Sequence, residues 1–452
     1  MNFLDYLLLS LYRNREKIFL IENDQQISHQ QVLSAILTQS RRIRQILTGK
    51  NKVYLRETSA FSTLVNFFAL LNNNISVALI NRNWNEPLTE DIYQLDDEID
   101  SNEDPFSPLA LQQALTEEMI RREANDATLS FFSSGSTANK PTEMQVSQDN
   151  LLFSLLSISA TLRYDNTTRI GVTTPLSFDY SLYQFFMVIA TGGAVVYSDF
   201  RVKAHRAFSY FSQYRCNYLA LIPGILKQYL ALYKFSPYQN LPAFITLTGE
   251  RFEQETLEQC HQLIPEVQII TMYGLTECKR VSITPPELCV IESNCTGIAI
   301  PGTRVHIRGK DGILHPEGRG ECVTEGWHVT EGYIVEGPCQ FKITNKRRIL
   351  YTRDIIQLDS CGLITFIKRA DSIIKVNGKR IDLKTVEHFV SQLYPSACKI
   401  TYKDHDVIIF GIGEIPPVHL QDKILRYFRE AHGVVIRKVI LQKQNNMNLK
   451  GL

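Results

Sequence analysis

Four stretches of this chain combine side chains that handle phosphate and charge. Ser133-Ser134-Gly135-Ser136-Thr137 follows the apolar residues 129–132 and precedes a helix that can start at Ser147. A short Ser/Thr/Gly loop leaving a strand offers hydroxyls and backbone N–H groups to phosphate oxygens, with the glycine supplying backbone freedom. It is not a Walker loop, because no GxxxxGK[ST] follows. Met272-Tyr273-Gly274-Leu275-Thr276-Glu277 sets an aromatic ring beside a hydroxyl and a carboxylate. Tyr351-Thr352-Arg353-Asp354 comes next, then Lys368-Arg369-Ala370-Asp371, Ile374-Lys375 and Gly378-Lys379-Arg380-Ile381. Asn448-Leu449-Lys450 ends the series on a lysine. Singly, each reads equally as a polar connection, a solvated basic strand pair or a frayed tail.

The elements that must position these residues alternate. Residues 1–12 read as an amphipathic helix, and residues 27–46 as another, with Val32, Ile36, Ile43 and Ile46 at helical spacing and Ser28 as N-cap. A short strand at 53–55, a helix at 61–71 and a strand at 75–80 follow, a pattern that points to an α/β fold. Residues 81–126 are polar, weakly periodic and expected to be a connecting surface segment. From Thr128 strands and helices alternate again, and 297–366 is glycine-rich and β-like. Near 368–380 two strand-like runs flank Asn377-Gly378, a hairpin turn signal, and the domain boundary is placed there. The last stretch offers helices at 383–393 and 418–432 and a strand at 407–411.

The chain has 452 residues, enough for two or more domains with a cleft between them. Its 48 Lys and Arg against 47 Asp and Glu exclude a global field that would draw it onto nucleic acid or an anionic membrane. No apolar run reaches the ~18 residues that span a bilayer. The N-terminus lacks the basic start and cleavage site of a signal peptide, so a cytoplasmic protein without membrane insertion is expected. Nine scattered cysteines, none in CxxC spacing, argue for reduced thiols rather than disulfides or a zinc cage.

Together, in this order and spacing, the four stretches resemble the adenylate-forming superfamily of acyl-CoA synthetases, nonribosomal adenylation domains and luciferases. Ser133 to Thr137 with Pro141 match its phosphate loop, TSGSTGxPKG, and Tyr273 to Glu277 its YGxTE motif. Leu247-Thr248-Gly249-Glu250 looks like its GGE or GAE segment, Thr352 to Asp354 like TGD, Lys368 to Ile381 like GRxDxxIKxxGxRI, and Asn448 to Lys450 like the late lysine motif.

The resemblance implies a multidomain α/β (α+β) chain. Residues 1–370 would form a large N-terminal ATP- and acyl-binding domain of sheets packed by helices. Residues 371–452 would form a small mobile C-terminal α+β domain hinged near Asp371. It implies ATP-dependent activation of a small carboxylic acid to an acyl adenylate, then transfer to a thiol on CoA or on the phosphopantetheine of a free-standing carrier protein. Ser133, Ser134, Gly135, Ser136 and Thr137 would cradle phosphates, Thr276 would touch the α-phosphate, and Glu277 would hold Mg²⁺. Tyr273 would pack on adenine beside Gly249 and Glu250, with Asp354 and Arg369 at the ribose. Lys450 would bridge acyl and phosphate oxygens as a point charge. Asp179, Thr248 and Gly274 would border the acid.

Departures mark the phosphate loop and the acid pocket. Thr142-Glu143 replaces the usual Lys-Gly, where Glu143 is set to repel pyrophosphate and Lys140 to supply the missing charge. Asp179, in the FDxS-like Phe178-Asp179-Tyr180-Ser181, either pairs with a substrate ammonium, as in amino-acid-activating domains, or caps its own helix. Cys278-Lys279-Arg280-Val281 has no counterpart role, and its cations either meet a substrate anion or are surface charge. Acid type and acceptor stay open, an amine acceptor and a degenerate nucleotide-binding protein included.

Overall fold

The computed structural model describes residues 1–84, 92–93, 99, 106–121, 126–133, 142–199, 204–250, 252–334, 340–344, 347–369, 373–376, 379–394, 398–403, 406–412 and 416–444. The first helix, Phe3–Arg13, carries Phe3, Leu4, Leu7, Leu8 and Leu11 on one face, all buried. That stripe packs on the helix Asp179–Thr191, where the rings of Phe3 and Phe186 meet edge-on at 4.9 Å. The second helix, His29–Ile46, starts in a capping box: Gln31 N–H donates to Ser28 Oγ at 3.1 Å, and Ser28 N–H to Gln31 Oε1 at 2.8 Å.

Behind these helices, six strands run parallel in the order Ile18–Glu22, Ala194–Tyr197, Arg169–Val172, Tyr218–Leu221, Phe244–Leu247, Gln268–Tyr273. Ala194–Tyr197 and Tyr218–Leu221 are buried at every position, as strands covered on both faces must be. Beyond Gln268–Tyr273 the pairing turns antiparallel, and the sheet runs on through Cys295–Ala299, Leu363–Arg369, Arg347–Leu358 and Gly318–Glu325. A second sheet holds Lys52–Arg56, Ser76–Ile80 and Leu129–Ser133 in parallel, with Thr142–Val146 antiparallel to the last.

Residues Val376 to Val439 contribute a separate hydrophobic cluster, centred on Val386, Val407, Ile424 and Phe428. A hairpin, Ile373–Val376 with Lys379–Asp382, leads into the helix Leu383–Leu393. The helix His419–His432 follows Asp406–Ile412, which Cys398–Lys403 and Lys438–Gln444 flank. Cys398–Lys403 alternates apolar with polar residues, Lys438–Gln444 carries Val439, Ile440 and Leu441 in one run, and neither strand was expected from the sequence. The expected surface segment 81–126 is also corrected: Pro108–Arg121 is a helix with Leu111, Ala114 and Leu115 buried in the main core. No described helix is long and apolar enough to cross a membrane.

Candidate active site

Parallel strands deliver the loops at their carboxyl ends to one side of a sheet, where ligands of α/β proteins gather. Three such ends meet here. Phe244–Leu247 leads into Thr248, Gly249 and Glu250, and its neighbour Gln268–Tyr273 leads into Gly274 to Arg280. Thr248 Oγ1 donates to the Met272 carbonyl at 3.3 Å, tying the two. Arg169–Val172 leads, six residues later, into the helix that Asp179 opens. Gly249 sits at φ +95°, a conformation that disfavours any side chain.

The turn after Tyr273 is tight. Cys278 N–H donates to the Leu275 carbonyl at 3.0 Å, and Val281 N–H returns to the Tyr273 carbonyl at 2.8 Å. A Cβ on Gly274 would collide with the carbonyl of Lys279, and Lys279 itself sits in the left-handed region at φ +56°. The turn leaves Thr276 half-buried and Glu277 wholly buried, with Tyr333 Oη donating to Glu277 Oε1 at 2.7 Å.

The antiparallel part of the sheet brings in the next group. Asp354 and Arg369 are register partners on adjacent strands, and Arg369 Nη1 stands 3.0 Å from Asp354 Oδ1. Tyr273 Oη donates to the other oxygen, Oδ2, at 2.7 Å. Burial, then the adjacent Asp354 charge, holds the Tyr273 hydroxyl well above the usual phenol range, so it stays a donor. Tyr273 is only 6 % exposed, so most of its surface is packed inside the protein.

Two sequence expectations change. Glu143 does not point a bare charge at the loop it follows. Lys52 Nζ lies 2.6 Å from Glu143 Oε1, and Tyr54 Oη donates to Oε2 at 3.1 Å, so the charge is balanced. Asp179 does not cap its helix: Phe178 is the N-cap residue, no side chain makes a cap bond, and Asp179 is the first helical residue.

Lys279 and Arg280 are not surface charge. They are 1 % and 6 % exposed. Lys279 Nζ donates to the Thr276 carbonyl at 2.9 Å and lies 4.5 Å from the centroid of the Phe131 ring. Burial lowers its pKa to about 8, while Asp179, Cys278, Glu331 and Glu277 act to raise it. Arg280 Nη1 donates to the Lys279 carbonyl at 2.6 Å, its guanidinium lies 5.0 Å from the centroid of the Tyr180 ring, and it approaches Asp179 only to 3.9 Å. Both cations and Asp179 line one narrow cavity with Tyr183, Gln184 and Met272. Sequence reasoning missed the depth of this pair, because two adjacent cations after a turn carry no burial signal of their own.

Glu277 is fit to share a divalent cation. Among the described residues no three or more His, Cys, Asp or Glu form a metal cage, and a Mg²⁺ held mainly by phosphate oxygens asks for only one or two carboxylates. Ser134, Gly135, Ser136, Thr137, Asp371 and Lys450 lie outside the described residues, as does the side chain of Ser133.

The chain matches the profile described as AMP-binding enzyme over residues 71–334. It belongs to that family of adenylate-forming enzymes. It is 25% identical over 290 residues to the nonribosomal peptide synthetase flvI of Aspergillus flavus, covering 60% of this chain and 26% of that protein. It is 27% identical over 279 residues to the D-alanine–D-alanyl carrier protein ligase of Lactiplantibacillus plantarum, covering 58% of this chain and 54% of that one. The matches thus span about half or less of these relatives' length. Among solved structures, o-succinylbenzoate CoA synthetase (MenE) of Bacillus subtilis superimposes with a TM-score of 0.72 at 16% identity, over 96% of this chain and 94% of that one. Vibrio cholerae AlmE, in complex with glycyl-adenosine-5'-phosphate, gives 0.71 at 17%, over 97% and 94%. These likenesses establish the mixed α/β fold.

Proposed function

We propose that this chain activates a carboxylic acid with ATP, forming an acyl adenylate and releasing pyrophosphate, and then passes the acyl group to the thiol of CoA or of a carrier-borne phosphopantetheine. The observation that carries the reading is the Tyr273–Asp354–Arg369 contact, which joins the carboxyl end of the parallel sheet to the antiparallel strands beside it.

In this reading the adenosine lies across that junction. Asp354 accepts from the ribose hydroxyls, with Tyr273 donating to one of its oxygens and Arg369 standing beside the other. The adenine borders Tyr273, Gly249 and Glu250. Thr276 donates to the α-phosphate, and residues 133–137 line the outer phosphates. Glu277, oriented by the Tyr333 hydroxyl, would hold Mg²⁺, which when bound would neutralise charge on the phosphate oxygens. Attack of the acid on the α-phosphorus expels pyrophosphate in line, so the protein's part is positioning and charge neutralisation. Lys450 brings one such charge, from a small C-terminal domain of residues 371–452 that swings about Asp371 between the two half-reactions. The glycyl adenylate bound in AlmE supports an adenylate intermediate, and the D-alanyl carrier protein ligase among the relatives supports a carrier-protein acceptor.

The test is acid-dependent ATP–pyrophosphate exchange over a panel of aryl, fatty, dicarboxylic and amino acids, followed by CoA, holo-carrier or an amine. Exchange with one acid class and consumption of the adenylate by a thiol supports the proposal. ATP turnover only when an amine is supplied overturns the thioester half, and no exchange with any acid overturns both. Lys450→Ala should slow exchange by ~10²-fold while leaving thiol transfer from supplied adenylate less affected.

A further inference from the structure

Lys279 combines two features that a chain seldom gives one residue. Its backbone lies in the left-handed region at φ +56°, which glycine or asparagine occupies more readily, and the residue is 1 % exposed, where lysine is rare. Neither backbone nor burial favours lysine, so the reason for it lies in what the ammonium holds. The backbone end is locked: Arg280 Nη1 donates to the Lys279 carbonyl at 2.6 Å, and Gly274 packs without a Cβ against the same carbonyl. From there the side chain turns back, Nζ donates to the Thr276 carbonyl at 2.9 Å, and it lies 4.5 Å from the centroid of the Phe131 ring. Phe131 belongs to the strand Leu129–Ser133, which runs into residues 133–137. Asp179, Glu331 and Glu277 bring negative charge to the same ammonium, so its own charge is compensated inside the protein. Glu331 is itself fixed, by Arg348 Nη1 at 2.6 Å and by the N–H of Ser147 at 2.9 Å.

We infer that Lys279 is a positioning residue for phosphate binding: its ammonium seats the turn that carries Thr276 and Glu277 against the strand Leu129–Ser133, without touching the nucleotide itself. The inference deepens the proposed adenylation and rests on it for Thr276 as the contact to the α-phosphate. A charge-assisted hydrogen bond on one side and a ring face on the other fix the separation of the two phosphate-facing segments before a ligand arrives. Methionine at 279 would fill similar volume and leave the turn closed by its own bonds, from Cys278 N–H to Leu275 and from Val281 N–H to Tyr273. The tether to the strand would be gone. Contacts to the nucleoside at Asp354 and Arg369 come from other strands and would stay.

The experiment is calorimetric titration of the full chain with AMP and with adenosine, in EDTA so that no divalent cation takes part. The parent should bind AMP roughly 10-fold or more tighter than adenosine. Lys279→Met should remove most of that preference, change adenosine binding by less than about 3-fold, and leave the chain no less stable to urea at pH 7. In a Thr276→Ala background the same change should cost AMP less than about 2-fold, because both act through one contact. Phe131→Leu keeps the lysine, should cost AMP about 3-fold, and serves if Lys279→Met does not fold. An AMP preference untouched by both variants overturns the inference. Equal losses of AMP and adenosine overturn it too, assigning Lys279 to the fold at large, as does a full loss that persists without the Thr276 hydroxyl. A parent that binds AMP no tighter than adenosine removes the Thr276 contact itself and so overturns the reading beneath. An AMP preference lost in Lys279→Met, in a chain without pyrophosphate exchange, keeps Lys279 in its role and sinks adenylation.

Discussion

The Tyr273 hydroxyl donates to one oxygen of Asp354 while the Arg369 guanidinium stands 3.0 Å from the other. A carboxylate that is 2 % exposed thus has one oxygen held by a hydrogen bond and the other facing a cation before any ligand arrives. Removing the donor leaves a buried acceptor short of a partner, which costs about 1–3 kcal/mol. Tyr273→Phe should weaken AMP binding roughly 10-fold, and Asp354→Ala more, by titration calorimetry. An unchanged AMP affinity in both variants would remove Asp354 from the nucleotide site.

Lys279 gives a pH signature. Its pKa in the folded chain is about 8, against 10.5 for the free side chain. Below pH 8 both states carry the proton and the folded state bears the full burial penalty. Between about 8 and 10.5 the unfolded state holds more protons, so this residue makes stability rise with pH. Lys279→Met should raise the unfolding free energy at pH 7 by a few kcal/mol, on the order of 1.4 kcal/mol for each tenfold loss of proton affinity on folding, and flatten the rise above pH 8. Chemical denaturation from pH 6.5 to 10 would show this, and a variant with the parent's pH slope would contradict it.

Glu277→Gln keeps the volume and the bond from Tyr333 but removes the charge. Exchange activity should fall by ~10²-fold or more, with half-saturating Mg²⁺ moved upward. A loss of activity with unchanged Mg²⁺ dependence would assign Glu277 to structure instead.

The Lys52–Glu143 pair separates packing from phosphate chemistry. Lys52→Met strands a half-buried carboxylate and should lower stability by about 1–3 kcal/mol, whereas the double change with Glu143→Met should recover most of it. Urea unfolding of the three variants closes the cycle, and a single variant as stable as the parent would make the pair a surface ornament.

Ser28→Ala removes one half of a reciprocal cap. About 1 kcal/mol of stability should go with it, read as a shift in the urea midpoint at constant slope.

Periodic features were legible in the sequence. The helices His29–Ile46 and Leu383–Leu393 appear where apolar spacing and caps put them, because local pattern and tertiary burial agree there. Motif order picked out residues that the fold brings together: Tyr273, Asp354 and Arg369 lie far apart in the chain and converge. What escaped depends on partners with no local trace. Glu143 looks hostile to phosphate until Lys52 and Tyr54, on a non-adjacent strand of the same sheet, are seen to balance it. Pro108–Arg121 hides its buried Leu111 and Leu115 among polar residues. The sequence left surface charge open for Lys279 and Arg280 and a helix cap open for Asp179, and only burial and the start of the helix close those readings.

Gly274 has a consequence for how such a protein can change. With no room for a Cβ against the Lys279 carbonyl, any side chain at 274 would force open the tight turn that carries Thr276, Glu277, Lys279 and Arg280. A side chain introduced at 274 would therefore be felt at all four of these residues at once, whereas exchanges at their side chains leave the turn's backbone as it is.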